Sequence, residues 1–296
     1  MNLLDQLVAQ ALKNRPELGS LQAVLEKELL HHDILREMSA AGLLADLTFI
    51  GGTCLRTCYG AERLSEDLDF SGGADFRRES LQTLGPALVA GLEAKYGLRV
   101  TVKEPTREKG NVDTWKLTII TRPQSPGLPA QRINIDVCAI PSHDRRPMML
   151  RNHYGVDMGT ASLIIQAQSR EEILADKLLA LALRPNRLKN RDLWDIGWLK
   201  RQGVELSPRL VAQKIADRRL SQADFQEELR QRCATLTADP AIKADFIREM
   251  QRFLPLETAR NTIGQENFWQ YLTSLIHDEC TQLAGQLNAG PPPGVS

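Results

Sequence analysis

The hydrophobic positions of the first 46 residues recur at helical spacing, and the pattern then changes to one typical of strands. Apolar residues three to four positions apart predict helices over residues 1–15 and 17–46, which are separated by Pro16. The apolar run over residues 47–50 predicts a short strand that leads into a glycine pair. The chain therefore begins with helices and enters a sheet at about residue 47.

Four more strands and two helices are predicted before residue 141. The strands are indicated by alternating or continuous apolar residues. The predicted strands are Asp67–Phe70, Leu98–Val102, Thr114–Thr121 and Arg132–Ile140. The predicted helices are Cys54–Tyr59, which Gly60 can end, and Arg77–Lys95.

From about residue 170 onward the pattern indicates helices only, with no strong strand signal after residue 168. This change predicts an α+β domain over residues 1–168 and a helical domain over residues 169–287. Residues 288–296 are rich in proline and glycine, and we expect them to form a disordered tail. No internal repeat is found.

The candidate chemistry concentrates between Gly51 and Phe70. A glycine pair leaves backbone amides open to a phosphate, because no Cβ blocks close approach. Asp67 and Asp69 are two residues apart on a predicted strand and therefore point to the same face. Two neighbouring carboxylates repel each other unless a cation lies between them. The stretch therefore indicates Mg²⁺-dependent chemistry on a nucleotide.

A third carboxylate, Asp136, stands in the middle of the last predicted strand between apolar neighbours. Desolvating such a carboxylate is costly unless it is paired or bound to a cation, so a third metal ligand beside Asp67 and Asp69 would explain it. The alternative is an edge strand with Asp136 in water.

Charged residues return on the first two helices of the second domain. Ser169 and Glu172 have the spacing of a capping box, and Lys177 lies within the apolar stripe that follows. This lysine either extends its ammonium group to solvent or points into a pocket that needs a positive charge. Asp192 and Asp195 share a helix face. A run of basic residues follows Lys177 and leads up to Asp192. It is either a solvated loop or a clamp for triphosphate or RNA backbone. That run contains Arg184, Arg187, Lys189 and Arg191.

Neither the cysteines nor the histidines indicate a structural metal or disulfide framework. The five cysteines are odd in number and scattered. His31 and His32 point about 100° apart on a helix, so they do not easily share one metal ion. They indicate a solvated or half-buried helix face instead.

The composition narrows the class of protein without identifying a partner. The 296 residues include 37 basic and 37 acidic side chains, so any nucleic-acid contact must come from a local patch. The N-terminus has no signal-peptide pattern, and no run of 18 apolar residues exists that would predict a membrane span. We expect a cytoplasmic protein with reduced thiols.

Several of these motifs together resemble a known family. The glycine turn and Asp-x-Asp strand, together with two downstream segments in the same order, resemble the signature of the AbiEii/AbiGii toxin family. The matching segments are Gly51–Arg56, Tyr59–Gly60, Arg63–Phe70, Glu171–Leu181 and Arg191–Asp195. This resemblance implies a DNA polymerase β-like nucleotidyltransferase fold, with a mixed sheet flanked by helices and a helical C-terminal part that completes the site.

The resemblance also implies a function. Members of the family are toxins of type IV toxin–antitoxin or phage-abortive systems. They use nucleoside triphosphates with Mg²⁺, and some modify the 3′ end of tRNA. We therefore expect a nucleotidyltransferase that acts on an RNA acceptor and has an antitoxin encoded beside it. The oligomeric state is left open.

The predicted site residues come from both domains. The predicted catalytic residues are Asp67, Asp69, Asp136, Lys177, Asp192 and Asp195; the predicted nucleotide-binding residues are Gly51, Gly52, Thr53, Arg56, Lys177 and Arg191; and the predicted metal ligands are Asp67, Asp69 and Asp136. Lys177 would meet the triphosphate by this likeness. Asp136 and Asp192 remain alternatives for the essential third acid.

Two other classes of function fit fewer of these features. A nucleotide-binding or partner-binding module without turnover would bind nucleoside triphosphate and form no product. A purely structural protein, with its Asp-x-Asp in a solvated turn, would bind no nucleotide. The separated acidic and basic segments that fit one site favour the transferase.

Overall fold

A computed structural model describes residues 2–106, 110–124, 127, 129–185 and 188–288. The chain divides into two compact units between Gln168 and Ser169. Asn288, the first residue of the predicted tail, instead ends a helix. The predicted disorder of the remaining tail residues and the predicted contribution of Arg187 to the basic run lie outside the described residues.

The described residues of the first unit form four α-helices. They are α1 Leu3–Asn14, α2 Gln22–Ala40, α3 Gly51–Cys54 and α4 Leu84–Tyr96. The side chain of Asn2 caps α1 by accepting a hydrogen bond from the backbone N–H of Asp5 at 2.8 Å. Pro16 ends this helical segment and begins a 3₁₀ turn that leads into α2. The predicted break at Pro16 is therefore confirmed.

The first unit contains a seven-stranded mixed sheet in the order β3-β4-β5-β2-β1-β7-β6. Its strands are β1 Thr48–Ile50, β2 Leu68–Ser71, β3 Val100–Lys103, β4 Val112–Ile119, β5 Gln131–Cys138, β6 Arg145–Met149 and β7 Ile164–Gln168. The pairs β2/β5 and β1/β7 are parallel, and the other neighbouring pairs are antiparallel. The α+β prediction is confirmed.

Strands β6 and β7 were not predicted. β6 is the edge strand of the sheet, and its sequence begins with two arginines followed by Pro147. Charged residues and proline are typical of edge strands because they discourage pairing with another chain. The same residues hide the apolar alternation by which a strand is recognised.

The central strands have one buried face and one polar face. In β4 the buried residues are Trp115, Leu117 and Ile119, as their alternation predicts. The residues of the buried face in β5 and β2 are Ile133, Ile135, Val137, Leu68 and Phe70. Helix α4 packs against α2 and β3. The polar residues of β2, β4 and β5 therefore share the opposite face.

The prediction of a solvated or half-buried face for the histidine pair is wrong. His31 and His32 are fully buried. All residues from 28 to 35 of α2 are buried, so other segments cover more than one face of this part of the helix. The His31 ring lies 3.0 Å from the carbonyl oxygen of Glu66, and the His32 ring lies 2.9 Å from the hydroxyl of Thr160.

We expect the protein to lose stability as the pH falls from 7 to 4. Burial, together with the neighbouring His31, lowers the pKa of His32 from 6.5 to about 4. At pH values between these two pKa values, His32 is more protonated in the unfolded chain than in the folded protein. The free energy of unfolding therefore falls as the pH falls. At about 1.4 kcal/mol for each pKa unit, the loss from this histidine is about 3 kcal/mol.

Urea unfolding of wild type and His32→Asn at several pH values tests this expectation. The variant removes the titrating group, so its stability should change less between pH 7 and pH 4. His277→Asn is the matched control, because His277 is exposed on the last helix of the chain. The same pH dependence in wild type and in His32→Asn would contradict the assignment.

The second unit contains only helices within its described residues. They are α5 Arg170–Leu183, α6 Asn190–Arg201, α7 Pro208–Asp217, α8 Gln222–Ala238, α9 Pro240–Met250, α10 Leu256–Asn261 and α11 Phe268–Asn288. The Ser169 hydroxyl caps α5 by accepting from the backbone N–H of Glu172 at 3.1 Å. The carboxylate of Glu172 contacts Lys214 at 2.6 Å. In the described part of the chain, we find no helix that is long and apolar enough to cross a membrane.

Candidate functional site

The glycine turn lies directly against one carboxylate of the Asp-x-Asp motif. Gly51 begins α3 with a φ of 77°, which favours glycine. A Cβ atom at this position would lie 2.7 Å from the Oδ2 atom of Asp69. The pairing of β1 with β2 explains this closeness, because Ile50 is the register partner of Asp69. The turn and the carboxylate therefore form one local structure.

Gly52 and Thr53 join this turn to the segment before β2. A Cβ atom at Gly52 would collide with the guanidinium group of Arg63, which is itself buried. The buried Thr53 hydroxyl donates to the carbonyl oxygen of Asp67 and lies 2.7 Å from the hydroxyl of Ser65. This hydroxyl thus positions Asp67, and its predicted contact with phosphate stays a prediction.

Helix α3 continues as one π-helical turn, Leu55–Tyr59, and ends at Gly60, which has a φ of 83°. The predicted glycine at the helix end is confirmed. π-Helical turns are rare in proteins, and those that occur are often found at functional sites. The turn carries Arg56 into the protein interior, where 4% of the residue is exposed.

Arg56 belongs to a buried charged cluster. It contacts the Oε2 atom of Glu28 at 3.1 Å and donates to the carbonyl oxygen of Ala61 at 2.8 Å. The Tyr154 hydroxyl also donates to the Glu28 carboxylate, and the backbone N–H of Ser65 donates to the same carboxylate at 2.7 Å. Burial opposes ionisation of Glu28, but Arg56 and Tyr154 outweigh it and lower the pKa of this carboxyl. Arg56 is thus engaged in the interior, and its predicted role in nucleotide binding stays a prediction.

The sheet places Asp136 next to Asp69. These two residues are register partners on the parallel strands β2 and β5, so their side chains point to the same face. Asp67 immediately precedes β2, and its Oδ1 atom accepts a hydrogen bond from the backbone N–H of Asn134 at 3.0 Å. Asp67, Asp69 and Asp136 therefore lie on one partly exposed part of the sheet. We call them the carboxylate group.

The donor atoms of the carboxylate group have the right chemistry for Mg²⁺. This ion prefers oxygen ligands and is commonly bound through one or two carboxylates together with substrate phosphates. Among the described residues, no three His, Cys, Asp or Glu side chains are arranged to enclose a metal ion. The three carboxylates therefore form no closed metal site by themselves in the described residues, and their predicted role as Mg²⁺ ligands stays a prediction.

The predicted site residues of the second unit form a cluster of their own. The Lys177 ammonium group lies 2.6 Å from Asp192 and 2.8 Å from Asp195, and Arg184 lies 3.3 Å from Asp192. Only 9% of Lys177 is exposed. Burial would raise the pKa of Asp192, but the nearby lysines and Arg184 outweigh it and lower this pKa. The alternative that Lys177 extends to solvent is therefore wrong.

Arg191 lies apart from this cluster. Its guanidinium contacts Glu249 at 3.4 Å and lies 4.9 Å from the centre of the Phe253 ring. These contacts connect α6 with the end of α9. Its predicted part in nucleotide binding stays a prediction.

Sequence reasoning missed the residues that support the candidate site. Glu28 stands in a charged segment of α2 that has no distinctive motif, and Tyr154 follows it by 126 residues. Ser65 was noted only as part of a motif, although its N–H and hydroxyl join Glu28 to Thr53. The sequence around Glu28 carries no signal that marks it, because Glu26 and Lys27 beside it give the segment the pattern of a solvated helix face.

Two solved structures are similar to this chain at low sequence identity. MenT4, the nucleotidyltransferase toxin Rv2826c of Mycobacterium tuberculosis H37Rv, is 15% identical over 95% of this chain and 98% of its own, with a TM-score of 0.54. JHP933 of Helicobacter pylori is 16% identical over 90% and 97% of the two chains, with a TM-score of 0.47. The likeness to MenT4 confirms the predicted nucleotidyltransferase fold.

The sequence itself matches one protein family over most of its length. No curated protein matches the chain. The family described as "Nucleotidyl transferase AbiEii toxin, Type IV TA system" matches residues 33–274, a range that includes both the carboxylate group and the Lys177 cluster. This match confirms the resemblance carried by the glycine turn and the Asp-x-Asp motif, and with it the enzyme class. The chain belongs to the AbiEii family of nucleotidyltransferase toxins of type IV toxin–antitoxin systems.

Proposed function

We propose that this toxin transfers a nucleotide from a nucleoside triphosphate to an RNA acceptor, namely the 3′ end of tRNA, in a Mg²⁺-dependent reaction. The observation that carries the proposal is the carboxylate group beside the glycine turn: Asp69 lies against Gly51 and is the register partner of Asp136. Such a transfer would inhibit growth or phage propagation. The family implies an antitoxin partner, and we expect its gene beside that of the toxin.

Transfer requires in-line attack of a 3′-hydroxyl on the α-phosphate and departure of pyrophosphate. Bound Mg²⁺ would lower the pKa of the attacking hydroxyl and offset the charge of the leaving group. Asp67 and Asp69 would hold this ion, with one oxygen of Asp67 oriented by the Asn134 N–H. The backbone amides at Gly51 and Gly52 would bind phosphate.

We propose Asp136 as the third acid of the reaction. It lies beside Asp69 on the same face of the sheet, where it serves as a further ligand or as the base that accepts the proton of the hydroxyl. Asp192, the alternative, already pairs with Lys177 and Arg184. A contribution of the Lys177 cluster and Arg191 to triphosphate binding stays a prediction.

Purified protein incubated with each labelled nucleoside triphosphate, Mg²⁺ and total RNA tests this function. We expect label in RNA of tRNA size, and none when the divalent cation is chelated. Calorimetry with the same nucleotides separates a transferase from a module that binds without turnover. Nucleotide binding with no labelled RNA under any condition would show that the transferase assignment is wrong.

Gly51→Ala is expected to reduce this transfer strongly, because the new Cβ atom would displace the Asp69 carboxylate from its position. The positive φ adds strain of about 1–2 kcal/mol. Gly73→Ala is the matched control: Gly73 has a φ of 81°, and a Cβ atom there meets nothing within 4 Å. Equal loss of transfer in both variants would show that strain alone, and not contact with Asp69, is responsible.

A further inference from the structure

Exposed basic residues lie on the polar side of β3, β4 and β5, next to the carboxylate group. Lys103 belongs to β3, Lys116 to β4 and Arg132 to β5, and Arg99 immediately precedes β3. All four are exposed. We call these four residues the basic strip. Their alternation with buried residues along each strand places them on the face that also carries Asp136.

The strand register brings these cations together. Lys103 is the register partner of Lys116, which in turn is the partner of Asn134; Arg132 is the partner of Thr118. These residues line a shallow cavity of about 350 Å³. The strip is therefore concave, and it presents hydroxyl and amide groups between its positive charges.

Within the described residues, the positive charge of the strip is not paired with a neighbouring acid. None of its four side chains forms an ion pair or hydrogen bond with another side chain in the part of the chain that the structure describes. The nearby Glu104 is exposed, and its carboxylate accepts a hydrogen bond from the buried Trp115 at 2.6 Å. Like charges directly opposite each other across two strands are destabilising. The Lys103–Lys116 pair therefore favours an anionic partner.

We propose that the basic strip binds the phosphate backbone of the acceptor RNA close to its reacting 3′ end. This inference rests on the proposed function, because that function identifies the RNA as an acceptor. The strip reaches the carboxylate group through β5, where Asn134 separates Arg132 from Asp136 and its backbone N–H donates to Asp67. An RNA strand on the strip would therefore have its end at the proposed metal ligands.

The distances suit a short length of RNA. Three strand spacings separate β2 from β3, which is about 14 Å at about 4.8 Å each. A helical nucleic-acid strand advances about 3.4 Å for each nucleotide, so the path from β3 to the carboxylate group on β2 spans roughly four nucleotides. The strip residues are basic, and the only aromatic residue of β4, Trp115, is on the buried face. Binding should therefore depend on phosphates and show little preference for base sequence.

Fluorescence anisotropy with a short labelled single-stranded RNA, without nucleotide or Mg²⁺, tests the inference. The variant combines Lys103→Gln, Lys116→Gln and Arg132→Gln. The slope of log affinity against log salt concentration is negative, and each lost phosphate contact reduces its magnitude by about 0.7. Three lost contacts should therefore reduce it by about 2. The matched control combines Lys13→Gln, Arg209→Gln and Arg260→Gln, which are exposed residues elsewhere with the same total charge. We expect the control to bind RNA as wild type does.

Equal affinity and equal salt dependence in the strip variant and the control would overturn the inference. A higher affinity of wild type for polyglutamate than for RNA at the same charge concentration, lost in the strip variant, would also overturn it, in favour of an acidic protein partner. Circular dichroism and nucleotide affinity of the strip variant show whether it is folded. The binding assay needs no turnover, so its result is independent of transfer. If wild type binds RNA but transfers no nucleotide, and the strip variant loses RNA affinity, the proposed function is refuted and the RNA surface is supported.

Discussion

Asp69→Asn is expected to reduce nucleotide transfer by about 100-fold or more while leaving the fold intact. The substitution keeps the shape of the side chain and removes the negative charge that would hold Mg²⁺. A bound metal ion contributes several kcal/mol to stabilisation of the transition state, and about 1.4 kcal/mol corresponds to a factor of ten in rate. Asp69 lies against Gly51 and is the register partner of Asp136, so it joins the glycine turn to the carboxylate group.

Transfer of label into RNA at saturating nucleotide measures this loss, and urea unfolding measures stability in parallel. Asp46→Asn is the control, since Asp46 is an exposed carboxylate before β1. We expect both variants to be nearly as stable as wild type, and only Asp69→Asn to be inactive. Undiminished labelling by Asp69→Asn would refute the proposed mechanism, whatever the activity of the control.

Arg56→Leu is expected to destabilise the protein by about 3–5 kcal/mol, because it leaves the buried Glu28 carboxylate without its cationic partner. Both side chains are almost entirely buried, with 5% and 2% exposed. The equilibrium unfolding midpoint in urea measures the effect. If Arg56 acts chiefly on nucleotide, as its motif predicts, the variant would instead keep its stability and lose nucleotide affinity.

Two comparisons isolate the buried charge. Adding Glu28→Gln to Arg56→Leu removes that charge, keeps an acceptor oxygen for the Ser65 N–H and presents an amide nitrogen that can donate to the Tyr154 hydroxyl, so part of the lost stability should return. Arg146→Leu breaks an exposed pair with Asp144, which is expected to contribute about 1 kcal/mol or less. Equal destabilisation by Arg56→Leu and Arg146→Leu would contradict a special role of burial.

Local patterns were sufficient for most of the first unit's elements. The break at Pro16, the helix that ends at Gly60 and the alternation along β4 depend on neighbouring residues, and all three are confirmed. The edge strand β6 was missed because Pro147 and its arginines interrupt the apolar period. Burial of His31 and His32 was missed because it depends on how much of α2 other segments cover.

The sequence by itself determined the family and the alignment of the two carboxylates of the Asp-x-Asp motif. Local geometry is sufficient for both, because it places Asp67 and Asp69 on one face of a strand and a turn at Gly51 and Gly52. Only the tertiary structure decided which distant residues join them. Asp136 becomes the partner of Asp69 through parallel strand pairing across 67 residues, and Glu28 meets Arg56 through packing of α2. Such pairings depend on competition among all the buried surfaces of the chain, and no short window of sequence contains that information.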